Sequence, residues 1–175
     1  IVATIAARRL DLDDRLPGLA TGTRGTIALE EQGSGDPVDR VRTHARRRGA
    51  EWVLSGEKPL VLDGLDADWV LVVARTPDGL STFRVDRPTM EPVRTMDATR
   101  RCGRLVLGET VAEPVGPEGD HTAIWRAISD DVAVGLSAEL VGVCDESLAM
   151  AMEYAEQRVQ FDKPIAAHQV IQHKL

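Results

Sequence analysis

The chain has 175 residues, enough to bury one good core or two small ones, and its 43% hydrophobic and 28% charged content reads as globular. A formal net charge of −7 argues against nucleic acid as the main partner, and no segment is long and apolar enough to span a membrane. Aromatics are only 3%, so the core must be aliphatic.

The two cysteines, Cys102 and Cys144, show neither a CxxC nor a metal-ligand spacing and read as reduced thiols. Ile1-Val-Ala-Thr-Ile-Ala-Ala is too short for a signal peptide and lacks a basic start, so the cytoplasm is the expected location. The chain does not begin with Met and reads as an internal piece of a longer protein.

Residues 1–16 read as the end of a helix, broken by Leu16-Pro17-Gly18, since Pro and Gly both resist helix continuation. From Gly25 to about Pro114, short apolar runs alternate with turn residues. The runs are 26–29, 52–54, 60–62, 69–74, 80–85 and 103–107. This spacing predicts a small antiparallel barrel or sandwich over 25–118, with hairpin turns at Asp63-Gly64 and Asp78-Gly79. The Arg run from Arg40 to Arg48 lacks interleaved aromatics and reads as a solvated loop or strand edge.

After Pro114-Val-Gly-Pro the period becomes helical, with Ile128, Val132, Leu136, Leu140 and Val143 recurring. A long helix is expected over about 123–159, ended by Asp162-Lys163-Pro164, and a second helix from His168. The fold class is therefore α+β. Residues 1–24 are a helical remnant and linker, 25–118 a β domain, and 119–175 the start of a bundle of long antiparallel helices.

One segment carries most of the functional signal: Tyr154-Ala-Glu-Gln-Arg158-Val-Gln-Phe161-Asp-Lys163-Pro164-Ile165-Ala-Ala-His168-Gln169. It resembles the flavin-contacting segment of acyl-CoA dehydrogenases, where an Arg, a Phe three residues on, a Lys-Pro-Ile-like turn and a His-Gln pair recur. The order of remnant helix, β domain and helices is similar to that family's middle and C-terminal domains, from about Leu16 onward. The family's N-terminal helical domain and last helices lie outside this sequence. The resemblance implies FAD as cofactor, an acyl-CoA substrate, flavin-linked α,β-desaturation as in fatty acid β-oxidation, and an electron-transfer acceptor. It also implies that Arg158 reaches the flavin of a neighbouring subunit, with Phe161 beside the cofactor and His168 and Gln169 on the next helix. A guanidinium suits that role because it is a planar fork of donors that stays charged.

Three further stretches match the family in part. Leu29-Glu30-Glu31-Gln32-Gly33-Ser34-Gly35-Asp36-Pro37 resembles its Thr-Glu-Pro-Gly-Ala-Gly-Ser-Asp loop over flavin and thioester. Glu31 and Gly33 fall at cofactor positions and Gly35 on the substrate side, but Glu30 replaces the Thr and one residue is missing. Gly56-Glu57-Lys58-Pro59-Leu60-Val61-Leu62-Asp63-Gly64 resembles its Gly-x-Lys-x-Trp-Ile-Thr-Asn-Gly. Leu60 stands for the Trp that packs on flavin, and Leu62 for the Thr that bonds near the reactive flavin nitrogen. In Ser129-Asp130-Asp131-Val132-Ala133, Asp130 falls near the expected adenine end of CoA, and Ala133 stands for an expected Arg. Read from the residues alone, Ser129 is an N-cap and Asp130 and Asp131 are helix N-terminal charges. Trp52 and Trp69 read as core or strand-surface aromatics. Asp97-Ala-Thr99-Arg100 is similar to an element of some family members, and His44, His121 and His173 show no ligand pattern. No catalytic base is assigned.

The expected function is an acyl-CoA dehydrogenase-like subunit that completes a flavin site across an interface, in a homo- or hetero-oligomer with another such subunit. The substitutions at 60 and 62 point to a degenerate partner subunit. A conventional homo-oligomeric enzyme remains open, as does an inactive acyl-CoA-binding or structural subunit without its own flavin.

Overall fold

The computed structural model describes residues 2–174. Val2–Arg9 forms helix α1, whose small side chains Ala3, Ala6 and Ala7 are buried along with Leu10. The helix expected over 1–16 thus stops at Arg9. Leu16–Ala20 makes one further turn, α2, with Pro17 in the first turn, where its missing N–H costs nothing.

Seven strands follow: β1 (Gly25–Ala28), β2 (His44–Arg48), β3 (Glu51–Val61), β4 (Trp69–Thr76), β5 (Gly79–Asp86), β6 (Glu91–Pro92) and β7 (Gly103–Val115). A single-turn helix, α3 (Pro37–Arg40), separates β1 from β2. Pairing runs β4–β5–β7–β3–β2 and returns to β4, so five strands close into a barrel; β1 adds to β4 and β6 to β7. The closing seam is thin. His44 pairs with Arg75, the Arg75 amide donates to Thr43 O (2.8 Å), and the Arg75 guanidinium donates to Val41 O (2.6 Å) and Asp39 O (3.2 Å).

The antiparallel expectation holds for five pairings, but β1–β4 and β2–β4 are parallel. Both reach β4 through long connections rather than hairpins, which leaves the strand direction free. The runs 52–54 and 60–62 belong to one continuous strand, β3. Asp78-Gly79 sits in a hairpin as expected, with Thr76 opposite Gly79. Asp63-Gly64 does not: Asp63 is left-handed (φ 54) and opens a 3₁₀ turn at 64–66, and β3 pairs with β2 and β7, not β4. Of the Arg-rich stretch, Arg46, Arg47 and Arg48 lie on β2, while Arg40 ends α3 and Arg42 lies between α3 and β2. Arg46 and Arg48 pair with Glu109, and Arg47 lies 4.8 Å from the centre of the Trp52 ring.

The barrel interior is aliphatic, with Leu54, Val61, Val70, Val72, Leu105 and Leu107 around a single fully buried ring, Phe83. Trp52 leans on Phe83 at 5.3 Å, and Trp69 is buried, as their strand positions imply.

Helix α4 runs from Thr122 to Gln157, close to the expected span. Its start is moored by Asp120, whose Oδ1 accepts from Thr122 Oγ1 (2.8 Å), Thr122 N (3.2 Å) and Leu80 N (2.8 Å). Ser129 is therefore not an N-cap; its hydroxyl donates back to Trp125 O (3.0 Å) within the helix. Asp130 and Asp131 lie in the third turn, beyond the first turn where the helix dipole is felt. One compact unit runs through Asp130 and a second begins at Asp131, so the division falls inside α4 rather than near 118.

The second unit holds the rest of α4, a two-stranded hairpin of β8 (Val159–Gln160) and β9 (Lys163–Pro164), a 3₁₀ turn at 165–167 and a one-turn helix, α5 (Gln169–Gln172). Among the described residues this unit holds one long helix, its part of α4, and a short second one, α5, within an α+β fold. Among them no helix is long and apolar enough to cross a membrane, and no cluster of His, Cys, Asp or Glu is arranged to hold a metal.

Candidate functional site

The sequence-identified residues fall into two groups, one in each compact unit. In the first, Glu31 follows β1 and is turned inward. Its carboxylate accepts from Lys58 Nζ (2.7 Å), Arg42 N (2.7 Å), Thr43 N (3.0 Å) and Thr43 Oγ1 (2.7 Å). Lys58 is fully buried and also donates to Leu29 O (3.2 Å). Burial works against the charge on Glu31. The Lys58 and Thr43 donors outweigh it and hold the carboxyl below its ordinary range. On Lys58 burial wins, pushing the ammonium below its ordinary range despite the pull of Glu31.

The loop after Glu31 is held from beneath by Arg40, which donates to Glu31 O (2.9 Å), Gly33 O (2.6 Å) and the Glu30 carboxylate (2.8 Å). Gly33 (φ 135) and Gly35 (φ 94) adopt backbone that side chains rarely take, and the space a Cβ would fill beside Gly35 is open. Asp36 closes the loop by capping α3 through Val38 N (2.9 Å).

On β3 the register slips between Lys58 and Val61, both of which are buried. This bulge holds Pro59, which has no amide hydrogen to lose. Leu60 and Leu62 are turned outward, 37% and 52% exposed. Leu62 O accepts from Thr26 Oγ1 (2.7 Å). Their side chains offer apolar surface and no donor. Asp130, the last residue of this unit, is exposed on α4.

In the second unit Arg158, Phe161, His168 and Gln169 come together around the β8–β9 hairpin. Val159 pairs with Pro164 and Gln160 with Lys163, leaving Phe161 (φ 54) and Asp162 (φ 62) as a two-residue turn with both φ positive. Left-handed backbone is a genuine outlier for a residue as bulky as Phe. The Phe161 ring is 88% exposed and meets His168 edge-on at 6.0 Å. The Arg158 backbone is fixed by its amide to Tyr154 O (2.9 Å) and by Ile165 N donating to its carbonyl (2.8 Å). Its exposed guanidinium makes no ion pair or hydrogen bond among the described residues. His168 Nε2 is buried without a partner among the described residues. Gln169 is exposed at the start of α5.

Sequence reasoning missed the supporting residues. Arg40 looked like one of a charged run, and Thr43 carries no pattern at all. Thr82 forms a buried network with His121 and Trp125, about forty positions away. Lys58 stood in the Gly-x-Lys element that resembles the family pattern, with no role read for it.

The model of the acyl-CoA dehydrogenase C-terminal domain matches residues 131–175. An acyl-CoA dehydrogenase of Bacillus subtilis (strain 168) is 34% identical over 177 residues, covering 91% of this chain and 46% of the relative. Acyl-CoA dehydrogenase IpdE2 of Mycobacterium tuberculosis is 38% identical over 118 residues, covering 63% of this chain and 34% of the relative. The chain thus spans less than half the length of these relatives. Among solved structures, a variant of the Tcur3481-Tcur3483 steroid ACAD superposes with a TM-score of 0.83 at 32% identity, over 99% of this chain and 48% of that one. A glutaryl-CoA dehydrogenase from Mycobacterium smegmatis in complex with FADH2 gives 0.87 at 25% identity, over 99% and 48%. The chain belongs to the acyl-CoA dehydrogenase family.

Proposed function

We propose that this chain is a subunit of a flavin-dependent acyl-CoA dehydrogenase and completes an FAD site across a subunit interface. When bound, FAD takes up the electrons removed from the Cα–Cβ bond of an acyl-CoA thioester. The observation that carries the reading is the Phe161 hairpin. A bulky residue is held in left-handed backbone with its ring in solvent, beside an unpaired guanidinium and an unpartnered imidazole nitrogen. The two-residue hairpin needs positive φ at both positions, yet a bulky Phe is a costly choice for it, and strain of this kind concentrates where a ligand is met. The residues fit the group there: Phe161 offers a flat face, Arg158 a fork for phosphate oxygens, and His168 and Gln169 further polar contacts.

The fit of the first unit is partial. Gly33 and Gly35 permit close backbone approach, and we assign Gly35 to the thioester side and the exposed Asp130 to the adenine end of CoA. Leu60 and Leu62 supply an apolar wall, and Leu62 cannot donate toward the reactive flavin nitrogen. This imbalance favours a division of labour, in which a second family member holds most of the flavin. The name of the solved neighbour Tcur3481-Tcur3483 joins two gene products, which agrees with such a pairing. So does the second unit's part of α4, where Val134, Leu140, Val141 and Met150 are each more than 60% exposed. Large apolar side chains exposed together on one helix normally mark a surface that a partner covers. The substrate class is an acyl-CoA of fatty-acid or sterol type, the electron acceptor is a separate protein, and the location is the cytoplasm. No residue of this chain is assigned as the catalytic base.

A second reading is favoured by Leu62 itself: an acyl-CoA-binding or structural subunit that touches no flavin. Arg158→Gln, made in the complex with the partner subunit, separates the two. Removal of a charge-assisted bond of about 1.5–3 kcal/mol lowers flavin affinity about 10- to 100-fold under the first reading. Unchanged flavin affinity supports the second.

A further inference from the structure

We infer that Glu31 and Lys58 are positioning residues: their buried ion pair fixes the Gly33–Gly35 loop against the Leu60–Leu62 edge of β3, and so shapes the cofactor-facing wall without touching the ligand. The inference rests on the flavin reading above and deepens it.

One carboxylate gathers four donors from two other chain segments: Arg42 and Thr43 on the approach to β2, and Lys58 on β3. Lys58 returns to the loop by donating to Leu29 O. The pair therefore ties the exit of β1, the entry to β2 and the middle of β3 at a single buried point. It sits directly before the Pro59–Leu60 bulge. Because Lys58 and Val61 both point inward, the extra residue between them turns Leu60 and then Leu62 outward. Gly56 fits the same construction. A Cβ there would lie 2.8 Å from Thr43 Oγ1 and 2.9 Å from Thr43 Cα, so only glycine lets β3 approach the Thr43 end of the network.

Stability alone does not call for this pair. Two charges taken out of water lose hydration that their attraction barely repays, and well-packed apolar residues of similar size serve as well. An apolar pair cannot, however, receive the Arg42 and Thr43 donors, so it leaves the loop without its register. Positioning is therefore read from local exchange at the loop and not from stability alone.

The test compares wild type, Glu31→Gln and the double variant Glu31→Leu with Lys58→Met, each in complex with the partner subunit. Amide hydrogen exchange is followed over residues 30–36, 42–43 and 60–62, with flavin affinity by titration and stability by urea midpoint. Expected in the double variant are a lower urea midpoint, because the Arg42 and Thr43 donors lose their acceptor, loop exchange about tenfold faster while the β4–β5 hairpin exchanges as in wild type, and flavin affinity about tenfold weaker, with Glu31→Gln between. Unchanged loop exchange overturns the positioning role, with or without flavin. Faster exchange with wild-type flavin affinity also overturns it, leaving the pair a structural anchor only. If the double variant does not fold, Glu31→Gln carries both readouts. Absence of flavin from the wild-type complex is read separately: it sinks the flavin reading, and the positioning of a cofactor wall falls with it.

Discussion

Replacing Thr82 by Val separates a lost hydrogen bond from stranded partners. Thr82 is 1% exposed, and its oxygen lies 2.8 Å from Trp125 Nε1 and 2.9 Å from His121 Nδ1. His121 Nε2 lies 2.7 Å from Pro117 O. A carbonyl only accepts, so Nε2 carries the proton, Nδ1 accepts from the Thr82 hydroxyl, and the Thr82 oxygen accepts from the indole. This assignment follows from the network rather than from seen hydrogens. Valine keeps the shape of threonine, so packing is preserved. What it removes is the only described partner of a buried indole N–H and of a buried imidazole nitrogen. Each stranded group costs about 1–3 kcal/mol, giving about 2–6 kcal/mol in all. Thr82→Ser keeps the hydroxyl and loses one methyl, about 1 kcal/mol. Urea unfolding followed by tryptophan fluorescence reads both, provided the slope m is unchanged. A Val variant within about 0.5 kcal/mol of wild type, or less damaged than the Ser variant, would refute the network.

Phe161→Gly relieves left-handed backbone and is expected to stabilise the protein by up to about 1 kcal/mol while lowering flavin content; urea midpoint and absorbance check the two halves. Gly56→Ala drives a Cβ into Thr43 in backbone at φ 147, and is expected to lower stability by about 2–3 kcal/mol in the same urea assay. The Leu80 amide, with the Thr122 hydroxyl, holds the Asp120 carboxyl below its ordinary range. Its stabilising effect is therefore present above the unfolded pKa and is lost as pH falls through the folded one. Urea midpoints measured from about pH 6 down to about pH 3 should fall less steeply in Asp120→Asn than in wild type, and equal slopes would contradict this.

Much of the fold was legible because it rests on local signals. The period change after Pro117 marked α4 to within two residues at each end, since an uninterrupted helical pattern leaves little choice. Pro77-Asp78-Gly79 marked a hairpin through turn chemistry. Asp63-Gly64 gave the same signal without making a hairpin, because pairing is decided by which strands lie adjacent and not by the turn alone. The parallel β1–β4 pairing and the Arg75 seam depend on contacts between residues far apart in sequence, which no local pattern records. Ser129 misled for a related reason. It is a good cap residue, but Asp120 holds the true helix start through Leu80, a residue forty positions away. At the candidate site, the residues that face outward were legible by resemblance. Those that hold them in place were not: Arg40, Thr43 and the Thr82 network act through distance and burial. Glu31 was read with the outward residues, and the structure gives it four internal donors instead.

The central claim is a flavin site completed across an interface, and the visible absorption spectrum tests it most directly. The protein is purified alone and again after co-expression with any second acyl-CoA dehydrogenase family member that is encoded beside it. The account predicts flavin bands only in the co-purified complex. Flavin bands in the protein purified alone would contradict it, because Leu60 and Leu62 would then be tolerated within a self-sufficient site.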